Sequence, residues 1–458
     1  MRALDDEARY TAYACLYEVL ENQGYSNLVL SKALRKTSLS SAEKSFATAL
    51  FYGTVTRVFT LDAVLKQYLK QESDALDPEV RTCLRMGAWQ ILYSYGVKEY
   101  AAVDSIVALA KKVSNPGAAK MINAVLRKVA AEGNEWLSRV PAKNLSVRYS
   151  VKPEIAGCFV KWYGQEKADS ILAAYLNTPK VTIRVNPLSK VSDEQLLSEM
   201  KEDGLTAAES SVLPYCKELS GDVVDLSSAK TYCDGRYSVQ SLSAMLVGHI
   251  ASPKPGMSVL DTCSAPGGKT THMAEIMENQ GRIDALDANE IRLKMVDESA
   301  RRLGISVIHT MPYDATFLAE EKEKLLFEYD LVLCDVPCSG LGLLHRKPDI
   351  RLSMSYEKMQ NLLPVQAGIL DNSCLRVKKG GTLVYSTCTV NPNENENQIE
   401  AFLMRHPDFE PVPYDELLPD ALRSRDTLVR GAKAGMMTLL PDEGDFDGFF
   451  IAKLRRKE

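Results

Sequence analysis

From about residue 236 to the end, short apolar runs alternate with amphipathic stretches, and this alternation constrains the fold more than any other feature of the chain. A strand–helix–strand succession packs best as a mainly parallel sheet with helices on both faces. Strands are expected at 258–261, 282–286, 306–309, 331–334, 382–385 and 448–452, with helices at 270–277, 291–303 and 362–375. The expected class is α/β, with a mainly parallel sheet over 236–458. Ligands of such sheets bind at the carboxyl ends of the strands.

The first part of the chain has a different texture. Apolar positions recur every three or four residues in 8–20, 42–58, 80–95 and 101–113, the period of amphipathic helices. Breakers such as Gly24, Pro78, Pro116 and Gly117 separate them. An all-α domain of six or seven helices is expected over 1–140, followed by a linker at 141–153. A small α+β domain is expected over 145–235, with helices at 154–162 and 168–176, a strand over 181–185 stopped by Asn186 and Pro187, and a helix at 193–200.

Charge and cysteine usage narrow the classes further. The net charge of −5 does not suggest a polyanion partner, yet residues 101–150 carry eight basic side chains against three acidic ones. Lys111, Lys112, Lys120, Arg127, Lys128, Arg139, Lys143 and Arg148 form either a solvated helical face or a docking surface. The ten cysteines include no C-x-x-C pair and the five histidines no H-x-x-x-H pair, so no metal site is expected. Cys15, Cys83, Cys158, Cys334 and Cys374 read as small buried hydrophobes. No run of 18 apolar residues exists, which excludes a membrane helix, and the acidic start lacks a signal core. A cytoplasmic, monomeric protein with reduced thiols is expected.

The chemistry gathers at the strand ends. The first strand ends in Asp261 and runs through Cys263, Ser264, Ala265, Pro266, Gly267, Gly268 and Lys269 into a helix. Glycines there let a ligand approach the backbone, and the helix start offers free amides. Neither G-x-G-x-x-G nor G-x-x-x-x-G-K-[ST] is present, which argues against a nicotinamide enzyme and a nucleotide P-loop. The second strand leads to Asp287, placed to accept ribose hydroxyls, and the third to Asp314, placed to meet an adenine amino group. Acids at three strand ends beside a short glycine loop suit S-adenosylmethionine better than a dinucleotide.

The fourth strand ends in Asp335, Val336, Pro337 and Cys338, and the fifth runs into Ser386, Thr387, Cys388 and Thr389. Two thiols therefore stand past the ends of adjacent strands. Carbon 5 of a pyrimidine is a poor nucleophile. A thiolate added at carbon 6 makes it enamine-like, which is covalent catalysis of a methyl transfer.

The stretches Cys263 to Lys269, Asp335 to Cys338, and Thr387 to Thr389 resemble those of the RNA (cytosine-5) methyltransferase family, also called Nol1/Nop2/Sun. Gln240, Gln366 and the terminal Asp447, Gly448, Phe449, Phe450 are similar to further stretches of it. The helical part, through 102–107 and 120–127, resembles the NusB RNA-binding domain. The resemblance spans essentially the whole chain. It implies a Rossmann-like S-adenosylmethionine methyltransferase domain preceded by an all-α NusB-like domain and a small α+β domain. It also implies a 16S rRNA substrate, with cytosine 967 as the target.

The same resemblance implies roles. Cys388 would attack carbon 6, Asp335 would hold the base edge, and Cys338 would help remove the carbon-5 proton and release the enzyme. Cys263, Ser264, Ala265, Pro266, Gly267, Gly268, Lys269, Asp287, Asp314 and Asp335 would line the cofactor. Val336, Ser264, Thr389 and Ser241 depart from the family's usual residues without removing a reactive group. His345, Arg346 and Lys347 would bring positive charge to the substrate base, while Tyr356 and Tyr385 read as core. The same chemistry on another rRNA or a tRNA, or a silent RNA-binding factor, are the alternatives.

Overall fold

In the computed structural model of the chain, residues 4–94, 96–221, 226–317, 325 and 328–458 are described. They form two compact units. Unit 1 runs to Thr178 and includes Leu344–Tyr356; unit 2 holds Pro179–Leu343 and Glu357–Glu458.

Unit 1 is helical: α1 (Leu4–Glu21), α2 (Ser26–Arg35), α3 (Ser41–Lys66), α4 (Pro78–Tyr93), α5 (Glu99–Val113), α6 (Pro116–Ser138), α7 (Leu145–Tyr149) and α8 (Pro153–Ala174). Local chemistry starts these helices. Ser40 caps α3 through a reciprocal bond with Glu43, and Asn115 with Pro116 starts α6. Their apolar stripes meet in one core that includes Leu16, Phe51, Leu61, Leu84, Ile106 and Leu126. The two helical runs expected at 154–176 meet at a break in α8, where Gly164 takes φ +77°. The short helix Ile350–Ser353 is fixed to this unit by Arg351, which donates to the carbonyls of Tyr149 (2.6 Å), Ser150 (3.2 Å) and Tyr175 (3.1 Å). Burial, with the charge of Arg57 adding to it, pushes that guanidinium down to about 9.

Unit 2 contains two sheets. The smaller is antiparallel, in the order β2-β3-β1-β4, from β1 (Val181–Val185), β2 (Thr206–Glu209), β3 (Cys216–Ser220) and β4 (Tyr237–Val239). The larger takes β5 (Ser258–Asp261), β6 (Arg282–Asp287), β7 (Ile308–Pro312), β8 (Tyr329–Asp335), β9 (Val377–Thr387), β10 (Phe409–Pro411), β11 (Met436–Leu439) and β12 (Phe449–Arg456). Its order is β10-β12-β9-β8-β5-β6-β7, with β11 on β12. Strands β9 through β7 are parallel, and β12 runs antiparallel to β9. Val259 and Leu331 belong to one apolar core, Leu260 and Val332 to another, so both faces of the sheet are covered. The α/β class and the helical first part are as expected.

The unit boundaries differ from the expected domains 1–140, 145–235 and 236–458. Helices α7 and α8 join the helical unit because Thr60 Oγ1 donates to Val147 O (2.6 Å) and Ser150 Oγ accepts from Phe59 N (3.0 Å). The small sheet joins unit 2 through Arg184 on β1, described below. Strand β7 starts two residues later than expected, and β2, β3, β4, β10 and β11 were not foreseen. Among the described residues, no helix is long and apolar enough to cross a membrane.

Candidate active site

Register places the reactive residues. Pairing of β8 with β9 sets Asp335 opposite Ser386, and β12 sets Phe450 opposite Thr387. The loops beyond β8 and β9 thus leave the sheet side by side, and Cys338 Sγ lies 3.3 Å from Cys388 Sγ. Both sulfurs belong to half-buried residues. Contact with Cys388 and burial together push the Cys338 thiol well up.

Asp335 is fully engaged. One carboxylate oxygen accepts from Ser386 Oγ (2.7 Å) and the other from Lys269 Nζ (2.6 Å). Lys269 also lies 5.1 Å from the centre of the Phe449 ring, a cation–π contact. Burial works against its charge, but Asp335 outweighs burial, and Cys388 and Asp261 add to the same side, so its ammonium is held above the ordinary range. An ammonium paired with Asp335 therefore stands in the field of the Cys388 sulfur.

Close backbone approach fixes the second cysteine. Gly342 N donates to Cys388 O (3.0 Å), and Gly448 N donates to Gly342 O (2.9 Å). A Cβ on Gly342 would run into the Gly448 carbonyl and come within 2.7 Å of Cys388 O. The terminal Asp447–Phe450 stretch thus supports the site through its backbone at Gly448 and its ring at Phe449.

The glycine loop is built as its sequence suggests. Gly267 takes φ +103°, and helix Gly268–Ile276 begins directly after it. Ser264 is pinned to β6 by its amide (2.7 Å) and hydroxyl (2.9 Å), both donating to Leu286 O. Asp261 accepts from Thr270 Oγ1 (2.7 Å), while its other oxygen is buried without a hydrogen-bond partner. Burial raises this carboxyl to about 7. Asp287 is buried, accepts from Asn289 N (2.8 Å), and has Arg292 at 3.7 Å. Asp314 is exposed and closes a turn by accepting from Thr316 N (2.9 Å). Tyr313 N donates to Asp287 O (3.0 Å), which brings 314 next to the end of β6. Among the described residues no group of three or more His, Cys, Asp or Glu is arranged to hold a metal.

Sequence reasoning missed two buried polar systems. Arg184, fully buried, donates to both oxygens of Glu275 (2.7 and 2.8 Å), to Gln240, to Thr271 Oγ1 (3.1 Å) and to Gly268 O (2.9 Å). It welds the small sheet to the helix that starts at the glycine loop. Ser241 caps helix Leu242–Ala251, a local reason for a hydroxyl there. The second system centres on Glu394 and lies under the two cysteines. Its sequence signs are Gln366, noted above, and a run of asparagines and acids at 391–397 that looks like an ordinary loop.

His345, Arg346 and Lys347 belong to unit 1, where the His345 ring stacks on Tyr175 at 5.5 Å. Tyr385 is core as expected; Tyr356 is not, being half exposed. All five cysteines expected to be buried are buried.

Comparison with known proteins fits this arrangement. A family model described as 16S rRNA methyltransferase RsmB/F matches residues 249–455, and a NusB family model matches 6–131. The chain is 35% identical to the probable ribosomal RNA small subunit methyltransferase B of Synechocystis, covering 98% of this chain and 99% of that one. It is 30% identical to the ribosomal RNA small subunit methyltransferase B of Pseudomonas syringae, over 97% and 96%. Among solved structures it is similar to PH0851, with TM-score 0.81, 25% identity and 99% of both chains covered. A methyltransferase homolog from Pyrococcus horikoshii matches at TM-score 0.57 and 27% identity, over 69% of this chain and 98% of that one. With relatives aligned from end to end and both family regions in order, the chain belongs to the 16S rRNA methyltransferase RsmB/F family, with a NusB-family region before its methyltransferase region.

Proposed function

We propose that this protein methylates carbon 5 of a cytosine in 16S rRNA, cytosine 967 being the target, through a covalent bond between Cys388 and carbon 6. The observation that carries the reading is the pair of sulfurs 3.3 Å apart beside the Lys269–Asp335 ion pair. Two thiols so placed suit a reaction that needs one nucleophile and one base.

The residues present fit S-adenosylmethionine. The left-handed Gly267, the helix start at Gly268, the orphaned buried oxygen of Asp261 and the buried Asp287 make a cradle for a cationic, ribose-bearing ligand. When bound, it supplies the electrophilic methyl group. Cys263 through Lys269, with Asp287, Asp314 and Asp335, would line it.

Lys269 favours the Cys388 thiolate by its charge, and the thiolate adds to carbon 6. A carboxylate oxygen has more than one lone-pair direction, so Asp335 can accept from the cytosine amino group without losing Lys269 or Ser386. Once Cys388 is bonded to carbon it carries no charge, and the contact that most disfavours ionisation of Cys338 is gone. Carbon 5, made enamine-like, forms its bond to the methyl group; Cys338, its own proton released to solvent, takes the carbon-5 proton, and the electron pair of that C–H bond restores the 5,6 double bond and expels Cys388 as a thiolate. The base must be unpaired or flipped to be reached. The basic residues of 101–150, on α5, α6 and the segment after them, suit the phosphate backbone, and binding should weaken steeply with salt. Such an enzyme acts in the cytoplasm, where the RNA is made.

Methyl transfer from labelled S-adenosylmethionine to purified 16S rRNA, followed by mapping of 5-methylcytosine, tests the reading. Label at cytosine 967 is expected. Label on tRNA alone, or on no cytosine, would overturn it.

A further inference from the structure

The two thiols are chemically alike and touch each other, so something must decide which one ionises. We propose that Glu394 is the positioning residue that makes this choice, holding Cys338 as the protonated, more basic partner and leaving Cys388 as the nucleophile. This rests on the cysteine chemistry proposed above and assigns it a residue that no part of that reading uses.

Glu394 is fully buried. One oxygen accepts from Ser339 N (2.8 Å) and Gln366 Nε2 (2.9 Å), the other from Asn391 Nδ2 (2.8 Å). Every donor is an N–H, and both oxygens accept, which is the pattern of an ionised carboxylate. Among the described residues no cation pairs with it. Gln366 Nε2 also donates to Pro337 O (3.0 Å), so the carboxylate grips the chain on both sides of Cys338, at 337 and at 339.

The same network reaches the second loop. Ser339 Oγ and Thr389 Oγ1 share a hydrogen bond of 2.7 Å, and Asn395 Nδ2 donates to Thr389 O (3.0 Å). Thr387 Oγ1 donates to Asn395 Oδ1 (2.6 Å). Residues on both sides of Cys388 are thereby tied to those beside Cys338. The sulfur contact is a consequence of buried polar geometry.

The charges are placed asymmetrically. An anion, Glu394, lies against the Cys338 turn, and its field adds to the upward push on that thiol. A cation, Lys269, acts on Cys388. Lys269 is paired with Asp335, which tempers its field, but among the charges named it is the cation that acts on Cys388, so a negative charge shared by the two sulfurs settles there. Fully satisfied buried networks of this kind also fix geometry tightly.

Substoichiometric iodoacetamide labelling across a pH series, with each cysteine read by peptide mass, tests the proposal without RNA. The exposed Cys233 serves as the internal reference. In the parent protein, Cys388 should label first as pH rises, with Cys338 lagging. In Glu394→Gln the Cys338 profile should move to lower pH, raising its share of label by about five-fold or more near pH 8. Thermal melting and S-adenosylmethionine binding show whether the variant is folded. A folded variant with an unchanged labelling ratio would overturn the proposal. So would a parent protein in which both thiols label together, a result that needs no variant. Failure to methylate cytosine would instead strike the function alone.

Discussion

Buried polar groups serve different ends in the two units. In unit 1 two buried threonines are satisfied one turn back on their own helix, Thr54 Oγ1 by Leu50 O (2.7 Å) and Thr82 Oγ1 by Pro78 O (2.8 Å), while Thr60 and Arg351 reach carbonyls far along the chain and hold α7, α8 and the segment 344–356 to the helices. In unit 2, buried side chains pair across long stretches of sequence, as in Arg184 with Glu275 and Gln366 with Glu394. Local satisfaction stabilises a helix wherever it is. Long-range satisfaction specifies where two loops must meet, which is what a pair of reactive sulfurs requires.

That contrast predicts large effects where the long-range pairs around the sulfurs of unit 2 are cut and a small one where a local cap of unit 1 is removed. The largest is chemical. Cys388→Ser should reduce methyl transfer below detection and form no adduct. Cys338→Ala should still attack and leave protein covalently bound to RNA on a denaturing gel, with turnover slowed on the order of 10²–10⁴-fold. Adduct in the Cys388 variant and none in the Cys338 variant would exchange the two roles.

Next comes the weld between the sheets. Arg184→Met leaves Glu275 buried without its cation, a change expected to cost about 3–5 kcal/mol. Denaturant unfolding should show this loss. A variant as stable as the parent would mean that long-range polar pairing does not hold unit 2 together.

The pH dependence follows from Asp261, whose carboxyl is raised by burial to about 7. A raised acid binds its proton more tightly when folded, so its contribution is full below the ordinary carboxylate range and is lost as pH rises toward 7. Asp261→Asn should therefore gain stability over the parent across pH 4 to 7, by up to ~4 kcal/mol, and hold that gain above. Parallel stability curves for parent and variant would refute the assignment.

Gly342→Ala tests backbone closeness. The added methyl group meets Gly448 O and Cys388 O, so one strand of the site must move. Overpacking of this kind costs about 1–3 kcal/mol. Displacing a reacting group by an ångström slows chemistry by about 10²-fold. Normal turnover with lowered stability would separate the two effects.

How much of this was legible depends on the range of the interaction. Four of the first six helices, α1, α3, α4 and α5, could be read because they repeat apolar residues at helical spacing, and Ser40 adds a local cap to α3. Strands β5, β6 and β8 could be read because both faces are buried, giving continuous apolar runs. Strand β2 is mostly exposed, and β10 and β11 are short, so no pattern marks them. The segment 344–356 belongs to unit 1 through Arg351, whose partners lie about two hundred residues earlier. At the site, the residue types Asp335, Cys338, Cys388 and Lys269 were legible. Their pairing was not, and Glu394 was invisible because its partners come from three separate segments.

The smallest effect belongs to unit 1 and completes the contrast. Ser40 accepts from Glu43 N while Glu43 accepts from Ser40 N (2.8 Å), closing the start of α3. Both side chains lie at the surface, so water can replace much of what is removed. Ser40→Ala should cost about 1 kcal/mol, the ordinary worth of such a cap. Because the interaction spans three residues, the loss should be confined to the melting of unit 1. S-adenosylmethionine affinity and the labelling order of Cys338 and Cys388 should be unchanged. Hydrogen exchange resolved by peptide would show faster exchange in α3 and none in β8 or β9. Faster exchange at β8 and β9 would mean that the two units share one cooperative transition, and the distinction between local and long-range polar burial would then have no thermodynamic counterpart.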